Sequence, residues 1–105
     1  MIYNTTFHID KSVTNEGLEY FKSVFIPDAV RSGVLSCPLL RRVIQEGEED
    51  GISVSVQFEV KDIETLIEWE HAEGQLLQQR LVSTFGHKIA GFTTLLENIS
   101  LSDEK

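Results

Sequence analysis

The chain is short of the residues that usually announce a chemistry. It has one cysteine, two prolines and one tryptophan in 105 residues, and nine Lys and Arg against 17 Asp and Glu. A lone Cys37 closes no internal disulfide, which fits a reducing compartment. With no basic neighbour and no Cys-x-x-Cys partner to lower its pKa, it reads as a small buried thiol rather than a nucleophile. A formal charge of −8, with the bases scattered, excludes the basic stripe that nucleic acid demands and disfavours anionic membrane surfaces. No apolar run approaches the roughly 18 residues of a membrane span. The opening Met1 to Thr6 has neither the basic n-region nor the apolar core of a secretory signal, so the expected location is cytoplasmic. The sequence also lacks a Gly-x-Gly-x-x-Gly, a phosphate loop and a Gly-x-Ser-x-Gly elbow. Its histidines, 63 and 16 residues apart, have no metal-ligand spacing. The expectation is no cofactor and no metal.

What is present is a clean succession of periodicities. Ile2 to Ile9 alternates as a strand, with Tyr3, Thr5, Phe7 and Ile9 on one face and Ile2, Asn4, Thr6 and His8 on the other. Ser12 or Thr14 can cap a helix carrying Val13, Gly17, Tyr20, Phe21 and Val24. Pro27 is expected to stop that helix at Ile26 and to start a short second turn ending at Gly33. Leu39 to Glu46 and Ile52 to Val60 read as strands two and three. The Asp50-Gly51 pair between them predicts a tight hairpin, hence antiparallel neighbours. Asp62 caps a second helix whose apolar stripe is Ile63, Leu66, Ile67, Gly74, Leu77, Leu81 and Phe85, with a kink expected at His71 to Gly74. Lys88 to Ile99, apolar on both faces, reads as a fourth strand buried on two sides. Residues 1–99 form one domain and 100–105 a short polar tail.

The order β-α-β-β-α-β predicts a ferredoxin-like α+β domain, a four-stranded antiparallel sheet of order 4-1-3-2 with both helices on one face. The open face then carries Asn4, Thr6 and His8 on strand one and Ser53, Ser55, Gln57 and Glu59 on strand three, and becomes apolar towards strand four. Such a face is expected to pair with a second copy.

Four stretches carry a family resemblance across nearly the whole chain: Met1-Ile2-Tyr3-Asn4-Thr5-Thr6, Ile26-Pro27-Asp28-Ala29-Val30-Arg31-Ser32-Gly33, Ser53-Val54-Ser55-Val56-Gln57-Phe58, and Phe85-Gly86-His87-Lys88-Ile89-Ala90-Gly91-Phe92 with the Thr93-Thr94-Leu95-Leu96-Glu97 that follows. The chain resembles the dimeric α/β-barrel superfamily, and within it a family of short bacterial proteins known only as a domain of unknown function. The resemblance implies a homodimer whose open sheet faces meet across a barrel-like interior. Members of that superfamily include cofactor-independent oxygenases, haem-degrading oxygenases, isomerases and lyases, and fold does not choose among them. The haem-degrading members invite comparison of Asn4, Trp69 and His71. However, Trp69 and His71 lie two apart, about 200° around a helix, and do not face one cleft unless the helix breaks.

The candidate ligand-binding residues are therefore Asn4, Thr6, His8, Ser55 and Gln57, lining the space between two sheets and contacting a small polar ligand, or else bound water and the partner copy. His8 is expected near Gln57 or Glu59, on the premise that strands one and three run parallel, and is either a base or a rim histidine. Arg41 and Arg42 point to opposite faces, one of them able to clamp a carboxylate or pair with Glu46 or Glu59. Glu70 falls on the apolar stripe of the second helix. Ten of the 17 acids lie between Glu46 and Glu73 with one base, Lys61, either as a partner surface or as a solvated face. The leading expectation is a homodimeric, non-catalytic or small-ligand-binding α/β-barrel. The alternatives are a cofactor-independent monooxygenase or isomerase using His8 or His71 as base beside Trp69, and an acidic protein-interaction adaptor.

Overall fold

Strand periodicity and helix caps place most elements where they are found. The computed structural model describes residues 1–102. Strands β1 (Ile2–Asp10), β2 (Ser36–Val43), β3 (Gly51–Glu59) and β4 (Ile89–Leu96) form one sheet in the order β2-β3-β1-β4, and every neighbouring pair is antiparallel. A first helix over 14–29 follows β1 and a second over 63–85 follows β3. This is a ferredoxin-like α+β fold. The core is Phe7 and Ile9 of β1, Val54, Val56 and Phe58 of β3, Phe21, Phe25 and Ala29 of the first helix, and Leu66, Trp69, Leu77 and Leu81 of the second. Each of the larger aliphatic and Phe side chains contributes roughly 1.5–3 kcal/mol by leaving water. Asp62 caps the second helix by accepting from the Thr65 backbone N–H at 2.8 Å. Hydrogen bonds from Thr65 hold its carboxyl below the usual carboxylate range.

β1 and β3 are antiparallel, which corrects the expectation of a parallel pair. In a split βαβ arrangement the parallel strands are β1 and β2, and β3 inserts between them opposed to both. His8 therefore lies opposite Ser53, and it is Asn4 that faces Gln57.

Several boundaries also move. β2 begins at Ser36 because a bulge between Ser36 and Leu39 takes up Cys37, at φ 51°, and Pro38. An edge strand tolerates both, since no further strand needs their backbone groups. Cys37 is exposed there, not buried. The β2–β3 connection is longer than an Asp-Gly hairpin. Gly47 takes the left-handed turn, Glu48–Asp50 forms a 3-10 turn held by an Arg42–Glu48 ion pair, and Asp50 adopts no positive φ. Gly51 then opens β3 at φ 141°, where a Cβ would stand 2.0 Å from the Ile9 carbonyl oxygen.

The first helix does not stop at Ile26. Phe21–Phe25 is π-helical, with the Ile26 N–H bonded to the Phe21 carbonyl, so Pro27 falls in the first turn of a fresh α-segment, Ile26–Ala29, where a missing N–H is tolerated. The second helix carries a π-turn too, Glu70–Gly74, in the place of the expected kink. Eight α-helical residues from Trp69 to Leu77 would overshoot by about 80°, but the π-turn absorbs one and returns Leu77 to the face of Trp69. That is why Trp69 is buried while Ile63 and Ile67, expected in the core, are exposed.

β4 departs most from its reading. It ends at Leu96, opposite Ile2, because β1 offers nothing further to pair with. Of its residues only Ile89 is buried, against two buried sides expected. The other buried strand residues lie on β1 and β3 and none on β2, so the helices cover the two central strands and leave both edges largely exposed.

Candidate functional site

Alternation fixes the open face. Asn4, Thr6 and His8 of β1 lie beside Gln57, Ser55 and Ser53 of β3 on one side, and beside Thr94, Phe92 and Ala90 of β4 on the other. Four of the five expected site residues are brought together: Asn4, Thr6 and Ser55 are bonded to one another, and Gln57, opposite Asn4, is bonded to Arg41. Ser55 Oγ donates to Asn4 Oδ1, Asn4 Nδ2 donates to Thr6 Oγ1 at 3.4 Å, and Arg41 Nη1 donates to Gln57 Oε1 at 3.3 Å. His8 stands apart at the end of this row, exposed, flanked by the small Ser53 and Ala90. The nearest strand neighbours of Gln57 and Glu59 on β1 are Asn4 and Ile2, so no His8–carboxylate pair forms. Around the polar centre the face turns apolar, with Leu39 41%, Phe92 66% and Leu96 47% exposed.

A concavity lies on the opposite side of the sheet, where the second helix leaves β4 uncovered. It is a cleft of about 300 Å³ between β1, β4 and the π-turn, floored by Phe7, Phe25, Leu77 and Gly91. Gly91 is opposite Phe7, and a Cβ there would meet the Phe7 ring at 2.6 Å. Gly74 similarly leaves room for the Trp69 ring. The Tyr3 and Trp69 rings meet edge to face at 6.1 Å. Tyr3 OH donates to Glu70 Oε2 at 3.2 Å, and the Thr5 and Thr93 hydroxyls bond to each other at 3.2 Å. Burial and then the neighbouring Glu70 carboxylate push the Tyr3 phenol up to about 12, because both disfavour a phenolate. Trp69 Nε1 is buried without a hydrogen-bond partner.

Sequence reasoning singled out Trp69 and Glu70 but missed Tyr3, Thr5 and Thr93, which share the cleft with them. The signal was present: on the covered face of β1 two apolar positions, Phe7 and Ile9, follow two that carry hydroxyls. Asn4, Trp69 and His71 form no common site. Asn4 is on the open face, Trp69 under the helix, and His71 is exposed and does not line the cleft. His87 sits in an exposed 3-10 turn. The acid-rich segment is split, with Glu46 to Asp50 at one end of β3 and Asp62 to Glu73 beginning at the other, separated by a nine-residue strand of roughly 30 Å. Among the described residues no group of three or more His, Cys, Asp or Glu is placed to hold a metal ion. Among the described residues no helix is long and apolar enough to cross a membrane.

A ferredoxin-like α+β domain with one bare sheet face and one aromatic cleft defines the class. A family model described as a domain of unknown function, DUF4286, matches residues 1–99, and the chain belongs to that family. No curated protein matches the chain.

Proposed function

We propose that the protein is a homodimer that pairs its open sheet faces and holds a small polar ligand, without turning it over, between them. The observation that supports this is the low charge of the open face. It carries three charged side chains, Arg41, Glu59 and, at the end of β1, Asp10, on a molecule of net charge −8. Two copies meeting there bring few like charges together, and a two-fold axis sets each apolar margin against the other copy. Four strands of eight or nine residues make a patch about 19 Å by 27 Å in plan, roughly 1,000 Å² over two copies, the threshold of a specific interface. Within it Asn4, Thr6 and Ser55 orient one another, Arg41 orients Gln57, and His8, with no hydrogen-bond partner among the described residues, is the group that reaches a ligand.

Light scattering at micromolar concentration tests the pairing. A dimeric mass that becomes monomeric in the double variant Leu39→Glu/Leu96→Glu is expected, and a monomeric wild type overturns the proposal. Native mass spectrometry of protein taken directly from expression reads the ligand. A co-purifying small molecule whose retention falls in His8→Ala is the expected outcome.

A further inference from the structure

Chemistry in the cleft beneath the second helix points to a ligand of one charge. Its walls are the rings of Tyr3 and Trp69, its floor is apolar, and its rim carries the Thr5–Thr93 hydroxyl pair and the amides of Gln75 and Gln78. One formal charge lines it, the carboxylate of Glu70, and no Lys, Arg or His does. Glu70 Oε2 accepts from Tyr3, while Oε1 takes no hydrogen bond from the described residues. An anion entering here would meet a carboxylate and no compensating donor charge. An organic cation would meet the carboxylate together with two aromatic rings, the combination that binds ammonium groups. A volume of about 300 Å³ is at the small end of ligand sites, room for one ring or a short chain.

Two wider depressions compete for attention and are more open. One, of about 540 Å³, lies where the start of the second helix approaches the end of β4, and the other, of about 600 Å³, is on the outer surface of the second helix around Val82. Neither holds an aromatic wall or a buried polar atom without a partner.

We propose that this cleft is a binding site for a small organic amine, its ammonium group on Glu70 Oε1 and its apolar or aromatic body against Trp69, over Phe7 and Leu77. The π-turn is what builds the site. It presents Glu70 towards β1 directly after burying Trp69, and it ends at Gly74, whose missing side chain leaves the indole its place. The site does not rest on the pairing of sheet faces, since it is on the other side of the sheet.

Trp69 is the only tryptophan, so its emission reports on the cleft alone. The test titrates the protein with 2-phenylethylamine, its neutral counterpart 2-phenylethanol, and the anionic 3-phenylpropanoate. A saturable change with the amine is expected, at least tenfold tighter than with the alcohol, with the acid weakest. Glu70→Gln should erase the preference of amine over alcohol while leaving the weak alcohol binding. Glu64→Gln, an exposed acid in the first turn of the same helix, should leave the preference intact. The proposal is overturned by an absence of saturation in both the emission and the indole N–H resonance, by equal binding of the acid, or by an amine preference that survives Glu70→Gln. Repeating the amine titration on Leu39→Glu/Leu96→Glu separates the two proposals, because loss of the dimer should leave this binding unchanged.

Discussion

Tyr3 is the residue at which burial, hydrogen bonding and pH meet. Its phenol is raised to about 12, first by burial and then by Glu70, so the folded state holds that proton more tightly than the unfolded chain does. For a group raised in this direction, the stabilising contribution is complete below the unfolded value near 10 and is lost as pH rises through the folded value. Denaturant melts of wild type should therefore lose stability between about pH 10 and pH 12, and in Tyr3→Phe that part of the loss should vanish. Gly91 is the second residue on which the cleft depends. A side chain there meets the ring of Phe7, which is 2% exposed and has nowhere to swing. Gly91→Val should cost about 1–3 kcal/mol in urea melts, the range for overpacking a filled site. An unchanged midpoint would mean that β4 yields more easily than its pairing with β1 implies.

At the scale of elements, the two π-turns decide which faces are buried. In the second helix the turn takes up one residue between Trp69 and Leu77, so removing one residue from within it should restore a regular helix with both still facing the core. Deleting Ala72 should leave a cooperative thermal transition and a helical far-UV spectrum. Deleting Gln79, in the regular segment beyond, should swing Leu81 away by about 100° and abolish cooperative folding. If the two deletions behave alike, the π-turn is not what sets the register. The turn was half legible in the sequence. Gly74 and the fall of Glu70 on the apolar stripe marked an irregularity, but a period count assumes 3.6 residues per turn throughout and so put Ile63 and Ile67 in the core.

For the whole molecule the governing facts are thinness and charge. The chain measures 52 × 34 × 18 Å with a radius of gyration of 15.0 Å, above the roughly 13 Å of a compact domain this size. One helical layer on one sheet leaves the other sheet face bare. If two such slabs pair through it, each carries its net −8 into the complex, while the shared face itself holds only Arg41, Glu59 and Asp10. Added salt screens that long-range repulsion, so raising ionic strength from about 20 mM to 300 mM should tighten the dimer in sedimentation equilibrium. A dimer that weakens with salt would point instead to interfacial ion pairs made by Arg41 and Glu59.

By itself the sequence determined the element order, the strand order and the two faces of β1 and β3, because alternation and helical spacing are local properties that burial merely selects. It also brought Asn4, Thr6, Ser55 and Gln57 to one face, since residues two apart on a strand cannot do otherwise. Tertiary structure alone decided the rest. The direction of β3 against β1 moved His8 from Gln57 to Ser53. The ends of β1 cut β4 at Leu96, and the edge position of β2 absorbed Cys37 and Pro38 in a bulge. The cleft depends on where a helix stops covering a sheet. It assembles Tyr3, Trp69 and Thr93 from segments as many as 90 residues apart, a distance over which no periodicity carries information.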